Sequence, residues 1–274
     1  MLKSVYAPHL GRSVKFGRRM PAAVPVTRKP YPAFGTYAAM LPTAPATINF
    51  ATPATLQSLR NLYGNDSRGD CVPAGANHDL GMWTANAGKP FLPTLDQVLA
   101  DYTAIGGFDP NDPDNTDNGC DEVAALNYYL NHGFANGTKL AGWLTVDASN
   151  QTLVKQALWL FEGLYFGMCL SDRWVDPMPE KDGFVWNSIG RPDPQNGHCV
   201  IGYGYNAQGI QIDTWGLFGT VAWDAVKHFA SPKAGGELYL LLSQDQINQA
   251  TQKSPNGFNW TQLAADFAAL KAAA

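Results

Sequence analysis

The 274-residue sequence predicts an α+β fold, and three observations carry that prediction. Helical patterns crowd the first half of the chain and strand patterns the second. Apolar residues make up 45% of the sequence and charged residues only 15%, which excludes disorder of the whole chain and leaves ample material for a core. Eight Trp, 11 Tyr and 13 Phe suit the broad aromatic packing of a β-rich or mixed protein.

The elements follow in order. From Pro45, extended chain leads to a short helix near Thr55–Leu62 and then to a Gly/Asp-rich loop. A helix starts near Cys71, because Pro73 fits only a first turn, and Gly88 ends it. A second helix runs from its N-cap Thr94 to the stop Gly106–Gly107. After a polar loop, a third starts at Cys120 and closes at Gly133. Strand texture then takes over. Lys139–Asp147 is a strand, Ser149–Phe161 a helix with a polar start, and Gly163–Ser171 an apolar run of strand length. Asn196–Asn206, Gly209–Gly216 and Gly236–Ser243 read as three more strands, the first two joined by a hairpin turn. Thr220–Ala230 is a further short element. Residues 246–274 read as an amphipathic helix with Trp260, Leu263, Phe267 and Leu270 on one stripe.

Charge divides the chain. Residues 1–50 carry seven cations (Lys3, Arg12, Lys15, Arg18, Arg19, Arg28, Lys29) and no acid, so the net charge of −4 hides a +7 arm before a −11 body. Residues 1–44 are Pro-rich and aperiodic, which predicts an extended arm outside a body that starts near Pro45. The arm is expected to dock on an acidic surface, its own or that of a neighbour in a homo-oligomer or assembly. Neither a uniformly basic nucleic-acid binder nor a transmembrane helix fits the sequence, and Ala22–Val26 is too short for a secretory h-region. Localisation is expected in the cytoplasm or on a phage particle. Cys71, Cys120, Cys169 and Cys199 form no C-x-x-C pair and match no zinc spacing, so reduced thiols are expected. No cofactor is implied.

The chemistry centres on Cys71, which follows a Gly69–Asp70 turn and opens a helix. Unpaired N–H groups at a helix start favour a thiolate, the form nucleophilic catalysis requires. His198 starts a strand, and Asp213 ends the next strand of the same hairpin. Equal arms would put the two opposite each other, the arrangement in which an acid orients an imidazole. An early Cys with a late His and Asp is the order of a nucleophilic triad. Asp109, Asp112, Asp114 and Asp117 resemble a calcium loop but fail its register, and read as a solvated capping loop. His78 lies seven residues beyond Cys71, about 10 Å up the axis, and reads as a packed structural histidine.

Four segments, in order, resemble the papain-like cysteine peptidases: "PATINF…YGNDSRGDCVPAGA", "GCDEVAALNYYLNHG", "VKQALWLFEGLYFGMCLS" and "NGHCVIGYGYNAQGIQIDTWG". They span about 45–245. The nearer look-alikes are papain-like proteins of bacteriophages and bacteria. The resemblance implies a two-lobe α+β fold, a helical lobe over about 45–140 and a β-rich lobe over 141–245, with the active-site cleft between them. It implies a Cys71–His198–Asp213 triad, Asn65 at the family's oxyanion Gln position, and Trp215 shielding the histidine from water. Asn65 is one methylene shorter than Gln, Asp213 replaces Asn, Arg68 replaces a bridging Cys and Val72 replaces a Trp. The family's inhibitory propeptide has no clear counterpart in the arm. The function implied is hydrolysis of a peptide or related amide bond in a peptide or protein substrate. Two alternatives stay open: a cell-wall peptide amidase or transglutaminase-like acyl transferase, and a non-catalytic binding or assembly module.

Overall fold

The computed structural model describes residues 2–21 and 33–243, together with 256, 259, 261 and 265. The chain opens with a hairpin of β1 (Ser4–Ala7) and β2 (Arg12–Lys15) around a 3-10 turn at Pro8–Leu10, closed by Gly11 in the left-handed region. A 3-10 segment at Phe34–Met40 and the short β3 (Ile48–Asn49) lead to the helices α1 (Leu56–Leu59), α2 (Cys71–Asn86), α3 (Leu95–Gly106), α4 (Pro113–Thr116) and α5 (Glu122–Asn131). Then follow β4 (Leu140–Thr145), α6 (Gln151–Phe161), β5 (Leu164–Ser171), α7 (Asp172–Val175), β6 (Phe184–Trp186), β7 (Pro192–Tyr205), β8 (Gly209–Thr214), β9 (Leu217–Ala222), α8 (Trp223–Phe229) and β10 (Glu237–Ser243). From Leu56 onward helices lead and strands dominate later, the α+β order the sequence predicts, while the short β1, β2 and β3 precede them.

Local chemistry sets the ends of these elements. Thr94 caps α3 in a full capping box with Gln97, and Gly107 closes that helix in the left-handed conformation. Asp121 and Asn150 cap α5 and α6 through bonds to Ala124 N and Leu153 N. The helix α2 is buried on nearly every side, as a central helix with apolar residues all round must be. It packs on β5 and β7, the middle of the sheet. The sheet has eight strands in the order β4–β10–β5–β7–β8–β9–β6, with β3 also on β7. Its pairs are antiparallel except β6 with β9. All eight residues of β5 are buried, which explains its unbroken apolar run.

The N-terminal arm departs from expectation. In its described residues, 2–21 and 33–44, it is part of the packed body rather than an appendage before Pro45. Ala7, Val14, Phe16, Phe34 and Tyr37 join the main core. Lys3 pairs with Asp172 and Asp193, Arg12 with Asp66, and Lys15 with Asp117. Arg18 pairs with Glu122 and Glu237. The acidic surface the arm docks on is thus its own. Composition gave the sign of this attraction; the contacts join residues from 54 (Arg12–Asp66) to 219 (Arg18–Glu237) positions apart, beyond the reach of any local pattern.

Asp117, expected in a solvated loop, is turned inward and accepts from Gly69 N and Tyr102 Oη. The four cysteines are unbridged and buried. The stripe Trp260, Leu263, Phe267 and Leu270 falls outside the described residues. Among the described residues, no helix is long and apolar enough to cross a membrane.

Candidate active site

Cys71 is the first residue of α2 and His198 lies in β7, so helix and central strand bring the two together. Both line one cavity with Asn65, His78, Asp213, Thr214 and Trp215. The cavity encloses about 10 Å³, close to the least space that holds one water. Cys71 and His198 are fully buried.

The imidazole is fixed on three sides. Its Nε2 lies 2.8 Å from Thr214 Oγ1. The Trp215 indole stacks flat on it, centroids 3.9 Å apart and planes 10° from parallel. Phe16, from the arm, meets both rings edge-on. Nδ1 has no hydrogen-bond partner. Trp215 holds a φ of 48°, unusual for a bulky residue, next to Gly216 at 77°. His9 Nε2 lies 3.0 Å from the Trp215 carbonyl, so the arm also steadies this turn.

Asp213 does not meet His198. The hairpin closes on Tyr205 opposite Ile210, and a register shift between Gly202 and Gly204 sets Ile201 opposite Asp213. Equal arms for 198 and 213 would need the turn about two residues earlier. Asp213 Oδ2 instead lies 2.5 Å from His78 Nδ1 on α2. The sequence reading thus missed Thr214 as the neighbour of His198. Its adjacency to Asp213 was the one available signal, since a residue-scale shift in register exchanges which side chain faces the histidine. His78, read as structural, is the partner of Asp213.

Burial governs the electrostatics. It pushes the Cys71 thiol up to about 12, although backbone N–H groups of Cys199 and Gly17 pull the other way. It draws His198 down to about 3, with the Arg18 charge adding to the effect. Asp70, before Cys71, and Asp79, near Asp213, are both raised by burial. The thiolate expected at the helix start is absent in this closed state: desolvation outweighs the helix terminus.

The arm does the closing. Arg18 N donates to Gly197 O at 3.0 Å, Cys120 N donates to Gly17 O at 2.9 Å, and Arg19 N donates to Cys120 O at 3.0 Å. Residues 16–19 therefore pass Cys71 and His198 outside any regular strand, with one isolated bridge from Arg18 to Cys120. A β-carbon at Gly17 would run into the Gly69 carbonyl, so only glycine passes there.

Comparison with solved structures identifies the architecture. Xylellain, a cysteine protease from Xylella fastidiosa, superposes with a TM-score of 0.61 at 13% identity over 88% of this chain and 98% of that one. Procathepsin B S9 from Trypanosoma congolense gives 0.58 at 10% identity over 82% and 87%. Digestive procathepsin L 3 of Tenebrio molitor larval midgut gives 0.53 at 10% over 73% and 71%. The fold is therefore papain-like, α+β and two-lobed. No family model and no curated protein matches the sequence. The expected phage association has no support among these structures.

Proposed function

We propose that the chain is a papain-like cysteine hydrolase acting on a peptide or related amide bond, held closed by its own N-terminal arm. One observation carries the reading: Cys71 at a buried helix start and a His198 clamped by Thr214 and Trp215 share a single cavity. Clamping Nε2 at Thr214 leaves Nδ1 unpartnered and able to take the thiol proton. Once the arm withdraws and water reaches the thiol, both pKa values relax toward each other and proton transfer becomes feasible. The sulfur then attacks the carbonyl carbon, and the oxyanion is held by the Cys71 N–H with the Asn65 side-chain amide. His198 returns the proton to the leaving amine, and water attacks the thioester with His198 as base. Trp215 keeps bulk water off the imidazole throughout.

A second reading, a non-catalytic assembly module, is favoured by the burial of both reacting groups under the arm. Digestion of a peptide mixture followed by mass spectrometry separates the two. The hydrolase reading expects cleavage by Phe16→Ala, which uncovers His198, and none by Cys71→Ala in the same background. Intact peptides with both variants favour the module.

A further inference from the structure

We propose that the pocket filled by Arg18 is a guanidinium-selective substrate subsite, and that the chain's own arginine stands there in place of a substrate arginine. The proposal rests on the hydrolase reading, since it names the side chain such a hydrolase selects.

The pocket is assembled from distant parts of the chain. Glu122 comes from the start of α5 and Glu237 from the start of β10. Arg18 and Glu122 side chains are wholly buried. Arg18 Nε donates to Glu122 Oε2 at 2.7 Å, and Nη2 donates to Glu237 Oε2 at 2.9 Å. Tyr239 Oη donates to the other Glu237 oxygen at 2.5 Å, which fixes that carboxylate. Glu122 Oε1 is buried without a hydrogen-bond partner. Gly167 of β5, opposite Glu237 in the sheet, opens the space. A β-carbon there would run into Arg18 Nε and Cδ and Glu122 Oε2.

A fully buried Glu122 beside a partly buried Glu237 calls for a cation, because unpaired buried charge is costly. Two separate nitrogens of one planar group meet them here. An ammonium is a point charge without that fork, so the geometry favours arginine over lysine. Position ties the pocket to the chemistry. Arg18 N bonds to the carbonyl preceding His198, and its neighbours bond to Cys120. These are backbone contacts, open to any extended peptide with glycine ahead of the pocket residue. The guanidinium is the element that reads sequence.

The test uses the full chain with Arg18→Ala and two measurements. Thermal unfolding is followed with added ethylguanidinium and, as control, ethylammonium. A saturable rise in melting temperature with ethylguanidinium alone is expected in Arg18→Ala, lost when Glu237→Gln is added, and absent in the unmodified chain, whose pocket is full. Should Arg18→Ala fail to fold, ethylguanidinium is expected to restore it. Absence of both stabilisation and restoration overturns the subsite. In parallel, two peptidyl acyloxymethyl ketones that differ only by arginine or norleucine at the pocket position are reacted with Arg18→Ala carrying Phe16→Ala, which uncovers His198. Labelling of Cys71 is expected to be at least about tenfold faster with arginine. Equal rates overturn the proposal. No labelling by either ketone, with ethylguanidinium still binding, overturns the hydrolase reading and leaves a guanidinium site standing.

Discussion

Asp213 turns away from His198 and places Oδ2 2.5 Å from Nδ1 of His78. The acid that the motif suggests for the triad is thus committed to the central helix, and Thr214 takes the place beside the His198 imidazole. The carboxylate sits in the cavity wall with a partner of its own, so it need not charge His198. Thr214→Val is expected to lower kcat about 10–100-fold, with KM little changed and Thr214→Ser largely restoring the rate. Asp213→Asn is expected to act mainly on stability, because its partner is His78. A greater loss of kcat with Asp213→Asn than with Thr214→Val, measured on the same peptide, contradicts this division of roles.

Burial of His198 gives the fold a pH dependence. An imidazole held at about 3 in the folded chain and near 6.5 when unfolded gains a proton on unfolding between those values. Stability therefore falls as pH drops from about 6.5 towards 3, with no contribution above. Asp70 and Asp79, raised by burial, act in the opposite sense. The His198 share is read as the difference between the unmodified chain and His198→Asn in urea midpoint against pH. That difference should be steepest below 6.5 and flat above it; a flat difference throughout rules out a buried neutral imidazole.

The arm should be a structural element of the closed state. Arg18→Ala strands Glu122 in the interior and is expected to cost about 3–5 kcal/mol by urea denaturation. Arg60→Ala, which breaks the half-exposed pair with Asp182, is expected to cost under about 1 kcal/mol. Similar small costs for both would show that the arm rests on the body without supporting it.

The thiols should be silent in the closed chain. Cys71 is buried and its thiol is pushed up to about 12, so iodoacetamide near neutral pH should leave Cys71, Cys120, Cys169 and Cys199 unmodified over minutes. Phe16→Ala removes the ring that covers His198 and Trp215. It is expected to raise alkylation of Cys71 by at least about tenfold and to leave the other three unchanged. Acceleration at all four instead signals general loosening.

What the sequence made legible was local. The helix start at Cys71, the capping box at Thr94 and the stop at Gly107 follow from propensity and cap chemistry within a few residues. The apolar run of β5 announced a buried strand for the same reason. The His198 partner was not legible, because it depends on where the hairpin turns and on one register shift between Gly202 and Gly204. A slip of that size replaces Asp213 by Thr214 beside the ring. The arm was legible only as charge. That Arg18 reaches Glu122 and Glu237 depends on long-range packing, and the closed cleft and suppressed thiolate follow from that packing.

Acylation tests the central claim most directly. Phe16→Ala, mixed with an amino-acid p-nitrophenyl ester and followed by intact-mass and peptide-level mass spectrometry, should gain one acyl group on Cys71. The group should appear and then decay as water completes the turnover, with both steps slowed when His198→Ala is added. An acyl group spread over the other thiols, or one that forms on Cys71 at the same rate without His198, would contradict a Cys71–His198 catalytic pair held shut by the arm.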